Sequence, residues 1–278
     1  MFNIANLLTS MNLICGMLSI LFCFSGQLDW AVYAIFAGAF FDFSDGFVAR
    51  RFNLMSPMGK QLDSLSDLVT FGVAPGFLMF FMLIIGIDQE GLIADTSNKI
   101  TFFDYYILQE FFTWVNASFY HIPNKFDASI KFLPLVAFLI PFFSLFRLAK
   151  FNIDETQSVN FSGFPTPLIA IIFCFFPLYF SLNLNTWTTE SSLIHFLFDA
   201  YTLSAIIAIF SICMLLPIPL MSLKIQKTNP RENQLKLGFL IISALSIPFL
   251  KVLSIPFILT LYLIVSIYHS IKKNKDEI

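Results

Sequence analysis

Apolar blocks parted by short polar links run the length of the chain. Eight of them, at 7–24, 30–50, 68–87, 132–150, 167–182, 200–222, 237–250 and 253–271, predict membrane-spanning helices. Crossing a bilayer takes about 20 predominantly apolar residues. The last two blocks are short and only Lys251 interrupts them, which predicts a tight hairpin. The first block has no basic stretch before it and reads as a first span, not a cleaved signal. Between the third and fourth blocks, 102–115 is aromatic but carries Asp104 and Glu110, too polar to span. It predicts an amphipathic helix on the outer interface, where Trp and Tyr anchor well, or else a plain structured loop. Polar residues at 224–236, with a Pro turn, form an inner loop, and 272–278 is a charged tail.

Composition sharpens this picture. Of 278 residues, 57% are hydrophobic and 12% charged, with 37 Phe and a mean hydropathy of +0.79. A soluble domain of this size needs more polar surface. The fold class is therefore all-α, a polytopic helical membrane protein with one membrane domain. A net charge of −2 gives no case for nucleic acid as a partner. Cys15, Cys23, Cys174 and Cys213 sit in apolar blocks without metal-like spacing and read as buried filler, while His121, His195 and His269 are scattered.

Basic residues orient the chain. With the N-terminus inside, the inner side holds Arg50, Arg51, Lys60, Arg147, Lys150, Lys224, Lys227, Arg231, Lys236, Lys272, Lys273 and Lys275. The outer side keeps only Lys99, Lys125, Lys131 and Lys251. That bias puts both termini on the cytoplasmic side of an eight-span protein.

Candidate chemistry concentrates at 42–67, DFSDGFVARRFNLMSPMGKQLDSLSD. Asp42 and Asp45 are spaced i, i+3, and Asp63 and Asp67 i, i+4. On helices each pair shares a face. Two such helices facing each other would gather four carboxylates, which call for cations in an apolar setting. An all-oxygen ligand set favours a hard divalent ion, Mg2+ or Mn2+. Gly46 and Gly59 lack side chains and would let a ligand approach the backbone, with close helix packing as the competing reading. Arg50, one turn beyond Gly46, can make a bidentate contact to phosphate.

The pattern D-x2-D-G-x2-A-R-x8-G-x3-D-x3-D resembles, position for position, the signature of the CDP-alcohol phosphatidyltransferase family. Three further stretches, NLLTSMNLICG with Asn6, Thr9, Asn12 and Gly16 at helical spacing, DLVTFGVAPG, and FRLAKFN with FSGFPTP, resemble the branch of that family that transfers to serine. The resemblance covers about 1–225 and leaves 226–278 as a terminal hairpin and tail of the same domain. It implies phosphatidyl transfer from CDP-diacylglycerol to L-serine with release of CMP, in a homodimer in a bacterial inner membrane, with the site facing the cytoplasm. It further implies two metal ions held by Asp42, Asp45, Asp63 and Asp67, with Asp67 as general base. Asn12, Gly46, Arg50, Ser56 and Gly59 are expected to meet CDP-diacylglycerol.

Arg147 and Lys150, spaced i, i+3 at the inner end of a span, are expected to hold the serine carboxylate, with Asn152 adding a hydrogen bond. Transfer to glycerol 3-phosphate or inositol phosphate is the alternative within the family, and an ion-coupled transporter the alternative outside it.

Overall fold

The computed structural model describes residues 3–87, 103–120, 132–153, 161–183, 192–216, 219–220 and 230–276. Among the described residues, eleven α-helices follow one another: α1 (Ile4–Phe24), α2 (Leu28–Arg51), α3 (Pro57–Asp67), α4 (Ala74–Ile87), α5 (Phe103–Phe119), α6 (Leu139–Ile153), α7 (Thr166–Asn183), α8 (Ser192–Phe198), α9 (Ala200–Cys213), α10 (Pro230–Leu250) and α11 (Ser254–Asp276). One π-helical turn, Leu68–Val73, joins α3 to α4. Two-residue strands β1 (Phe161–Ser162) and β2 (Pro219–Leu220) pair antiparallel as a small clasp.

Among the described residues, five runs are long and apolar enough to cross a membrane: Ile4–Phe24, Leu28–Arg51, Pro57–Ile87, Leu133–Ile153 and Gln234–Ile267. The last of these turns back on itself. Lys251 adopts φ 50°, and the rings of Phe239 and Tyr262 meet at 5.8 Å across the fold, giving the expected hairpin. Thr166–Leu182 and Ala200–Cys213 are shorter apolar helices. The protein is a polytopic helical membrane protein.

Local chemistry sets the ends that matter for the site. Asn3 caps α1 by accepting from the Asn6 N–H at 2.7 Å. Ser56 caps α3, accepting from the Gly59 N–H at 3.0 Å, with Pro57 at the first helical position where no N–H is needed. Between α2 and α3, Asn53 takes φ 53°, a left-handed conformation that Asn tolerates better than most residues. This tight link turns the chain and brings both acidic pairs together.

α4 forms the centre of the core. Leu78, Met79, Phe81 and Leu83 are buried, as expected for a helix apolar on all sides. Phe80 stacks on Phe138 at 5.6 Å and meets Trp114 edge-on at 5.1 Å. One expectation is corrected here. The third span does not begin at Leu68; it runs on from α3 without a break, so Asp63 and Asp67 belong to the same continuous run as the core helix. The aromatic segment takes the helical one of its two expected forms, α5, whose buried Ile107, Glu110 and Trp114 face the bundle. Its spacing of i, i+3, i+7 marks the packed face, so Glu110 points inward.

Glycines allow α1, α2 and the π turn to meet. A Cβ on Gly16 would lie 2.6 Å from Thr70 Oγ1, and one on Gly38 would lie 2.5 Å from Thr70 Cγ2. Thr70 fills the notch between the two helices that these residues leave open.

Candidate active site

The turn between α2 and α3 sets Asp42 and Asp45 opposite Asp63 and Asp67. Asp42, Asp63 and Asp67, each half-buried, offer carboxylate oxygens that all lie within 4.8 Å of one another. Asp45 stands one turn further along α2, buried, with Oδ2 accepting a hydrogen bond from Thr9 Oγ1 at 2.5 Å. Asn12 Nδ2 donates to Asp67 Oδ1 at 3.1 Å. Two more bonds fasten α1 to this region: Ser66 Oγ to the Thr9 carbonyl and Thr70 Oγ1 to the Asn12 carbonyl, both 2.9 Å.

Three carboxylates packed this closely repel one another unless a proton or a metal cation lies among them. Opposite oxygens around Mg2+ sit about 4 Å apart, so small side-chain movements would close this group on an ion. The donor set is oxygen throughout, which suits Mg2+ or Mn2+ and not a thiolate-loving metal. The residues therefore fit a divalent ion.

A cavity of about 470 Å³ adjoins the cluster, lined by Asp45 and Asp63 on its acidic side. Gly46, Arg50, Ser56, Gly59 and Lys60 complete its polar wall, and Ala5, Ala49, Leu54, Met55 and Pro57 add an apolar one. Gly46 and Gly59 thus sit on the cavity wall, one from each side. Asn6 and Thr9 also line it, a contribution of α1 that the acidic pattern alone did not announce.

Other expected residues fall elsewhere. Asn12 is fully buried and is not on the cavity wall; its amide points at Asp67. Arg147 is buried, donating from Nε to the Phe164 carbonyl and from Nη2 to the Gly163 carbonyl, both at 3.3 Å. It fastens the loop in which Gly163 takes φ +84°, against the carbonyls of Met214 and Leu216. Lys150 is exposed, so the two cations do not share one environment. The i, i+3 spacing leaves their side chains about 60° apart around the helix axis, enough to send one inward and one outward. Asn152 donates to Ser64 Oγ at 2.8 Å, and its carbonyl accepts from Lys60 Nζ at 3.0 Å. It reaches the cavity wall through Lys60.

Only the backbone explains how Asp67 is presented. The π turn begins directly after it, and such turns shift the helical register by one residue. Nothing in LVTFGV marks a π turn in advance.

Fold and site together define a polytopic helical membrane protein with an acidic centre beside a cavity of about 470 Å³. A model of the CDP-alcohol phosphatidyltransferase family matches residues 2–198, and the chain belongs to that family. It is 30% identical over 177 residues to the CDP-diacylglycerol–serine O-phosphatidyltransferase of Bacillus subtilis, covering 64% of this chain and 75% of that one. The enzyme of the same name from Helicobacter pylori strain J99 is 28% identical over 169 residues, 60% of this chain and 54% of the relative. The archaetidylserine synthase of Methanothermobacter thermautotrophicus is 29% identical over 168 residues, again 60% and 54%. The matched stretch thus spans about half the length of the latter two.

Proposed function

We propose that this protein transfers the phosphatidyl group of CDP-diacylglycerol to the hydroxyl of L-serine, giving phosphatidylserine and CMP. One observation carries the reading: Asp42, Asp63 and Asp67 converge within 4.8 Å beside a cavity walled by Arg50 and Lys60. Serine as acceptor is supported by the names of the relatives. The catalytic unit is taken as 1–225, with 226–278 as its terminal hairpin and tail. The site faces the cytoplasm from the inner membrane of a bacterium, and the working form is a homodimer.

Mg2+ or Mn2+, as two ions held by Asp42, Asp45, Asp63 and Asp67, would supply neutralising charge at the diphosphate. Asp67 accepts the serine hydroxyl proton as that oxygen bonds to the phosphorus bearing diacylglycerol. The bond from this phosphorus to the CMP oxygen breaks, and CMP departs with the electron pair. Arg50 grips the diphosphate in bidentate fashion. Gly46 and Gly59 leave both backbones bare for the nucleotide, with Ser56 at its side. Lys60, held by the Asn152 carbonyl, meets the serine carboxylate. Arg147 serves the acceptor side by fixing the loop at Gly163 and Phe164, and exposed Lys150 adds positive charge where a zwitterion arrives.

Glycerol 3-phosphate or inositol phosphate is the second reading, since the same acidic centre would serve either. The cavity wall carries Arg50 and Lys60 as its cations, and Arg50 is already assigned to the diphosphate. One remaining cation suits a carboxylate better than a phosphate dianion. Family membership speaks against an ion-coupled transporter.

The test is CMP release from CDP-diacylglycerol by purified protein in detergent, with each acceptor offered separately. Serine-dependent release that Asp67→Asn abolishes supports the proposal. Release driven only by a phosphorylated acceptor would replace serine, and no release with any acceptor would sink the reading.

A further inference from the structure

The polar stripe of α1 has no part in the reaction as described, yet it touches the acidic centre twice. Thr9 and Asn12 lie one turn apart on the same face, and both are buried. Thr9 Oγ1 reaches Asp45 on α2, and Asn12 Nδ2 reaches Asp67 on α3. The Thr9 hydroxyl also lies 3.1 Å from the Ala5 carbonyl, the ordinary partner of a helical threonine, but the carboxylate is nearer. Behind these contacts, α1 cannot slide. Ser66 and Thr70 bond to the carbonyls of Thr9 and Asn12, from either side of Asp67. Gly16 and Gly38 admit Thr70 with no room to spare.

We propose that α1 is the template of the acidic centre, with Asn12 a positioning residue for Asp67 and Thr9 for Asp45, in place of a nucleotide contact by Asn12. A carboxylate on a helix swings about two side-chain torsions, and four of them will not hold a common geometry by themselves. One donor bond to one oxygen fixes the plane of the carboxylate and leaves its second oxygen for the site. A single rigid helix that holds one acid from each of two others also sets the distance between α2 and α3. Partners of this kind alter metal affinity or activity about 10- to 100-fold when removed. The inference rests on the metal-dependent reading above.

Asn12→Leu keeps the four-atom branched side-chain shape, in a somewhat larger volume, and removes the donor. Wild type and variant are compared by direct Mn2+ binding (electron paramagnetic resonance of free Mn2+), by calorimetric affinity for CDP at saturating Mn2+, and by CMP release. Expected is a fall of about 10- to 100-fold in Mn2+ affinity or kcat, with the Kd for CDP held within about twofold. Asn12→Asp, which turns the donor into an acceptor, is expected to lose at least as much.

A Kd for CDP raised about tenfold with Mn2+ affinity intact would make Asn12 a nucleotide contact and overturn the proposal. Unchanged Mn2+ affinity and kcat would overturn it too. Asn12→Ser, smaller and still polar, covers the case in which the first two variants do not fold; loss of folding in all three assigns Asn12 to the core alone and ends the proposal. Mn2+ binding needs no turnover, so a wild type that binds Mn2+ but releases no CMP sinks the reaction and leaves the template tested. A wild type that binds no Mn2+ overturns both.

Discussion

α1 and α10 are patterned alike and do different things. Along α1, Ile4, Leu7, Met17 and Leu21 face outward while Thr9, Asn12 and Ser19 are buried. Along α10, Leu240, Ile241, Leu245 and Ile247 face outward while Ser243 and Ser246 are buried. Both helices turn small polar residues inward and apolar ones outward, as membrane helices do where they pack. What separates Thr9 and Asn12 from Ser246 is reach. Thr9 and Asn12 bond to acids 36 and 55 positions away in the chain. Ser246 donates to the Ser243 carbonyl, and Ser254, opening α11, to the Lys251 carbonyl. A back-bonded serine satisfies itself and asks nothing of its neighbours. A buried polar stripe therefore tells where a membrane helix packs, and the identity of its partners decides whether it builds a site.

That contrast can be broken at several points. The largest effect is expected at the acids themselves: Asp67→Asn should lower CMP release by about 10³-fold or more, read by turnover in detergent. Chelation with EDTA should abolish turnover as completely, and Mg2+ or Mn2+ should restore it; activity that survives EDTA would remove the metal from the account.

One step out, Thr9→Val should cost about tenfold in kcat while Thr9→Ser, which keeps the hydroxyl, stays near wild type. Equal loss in both would mean that the methyl group, not the bond to Asp45, is what matters. Gly16→Leu should lower stability by about 1–3 kcal/mol, seen as a lower melting temperature, because its Cβ meets the Thr70 backbone at 2.8 Å. Smallest of all, Ser246→Ala in the hairpin should leave turnover within about twofold and stability within about 1 kcal/mol. A large loss there would erase the difference between the two helices.

Much of the site was legible in the chain. The spacing of Asp42, Asp45, Asp63 and Asp67 already put each pair on one helix face, and Gly46, Arg50, Ser56 and Gly59 do lie on one cavity wall. Arg147 and Asn12 lie off the cavity wall for a common reason. A polar residue near a site motif looks like a ligand contact in sequence, but a buried side chain takes the partner within reach. For Arg147 these are the carbonyls of Gly163 and Phe164, exposed by a loop that cannot pair them within a helix. For α5, the sequence left helix and loop open, and the period that buries Ile107, Glu110 and Trp114 is what makes it a helix packed on the bundle.

By itself the sequence determined the membrane helices, the hairpin at Lys251 and the acidic pattern, because hydropathy and helical period act locally and are written residue by residue. The tertiary structure alone decided which acid each polar group of α1 would hold, the π turn behind Asp67 and the inward set of Arg147. Those depend on how far each helix is rotated and shifted against its neighbours, which is settled where Thr70 meets Gly16 and Gly38.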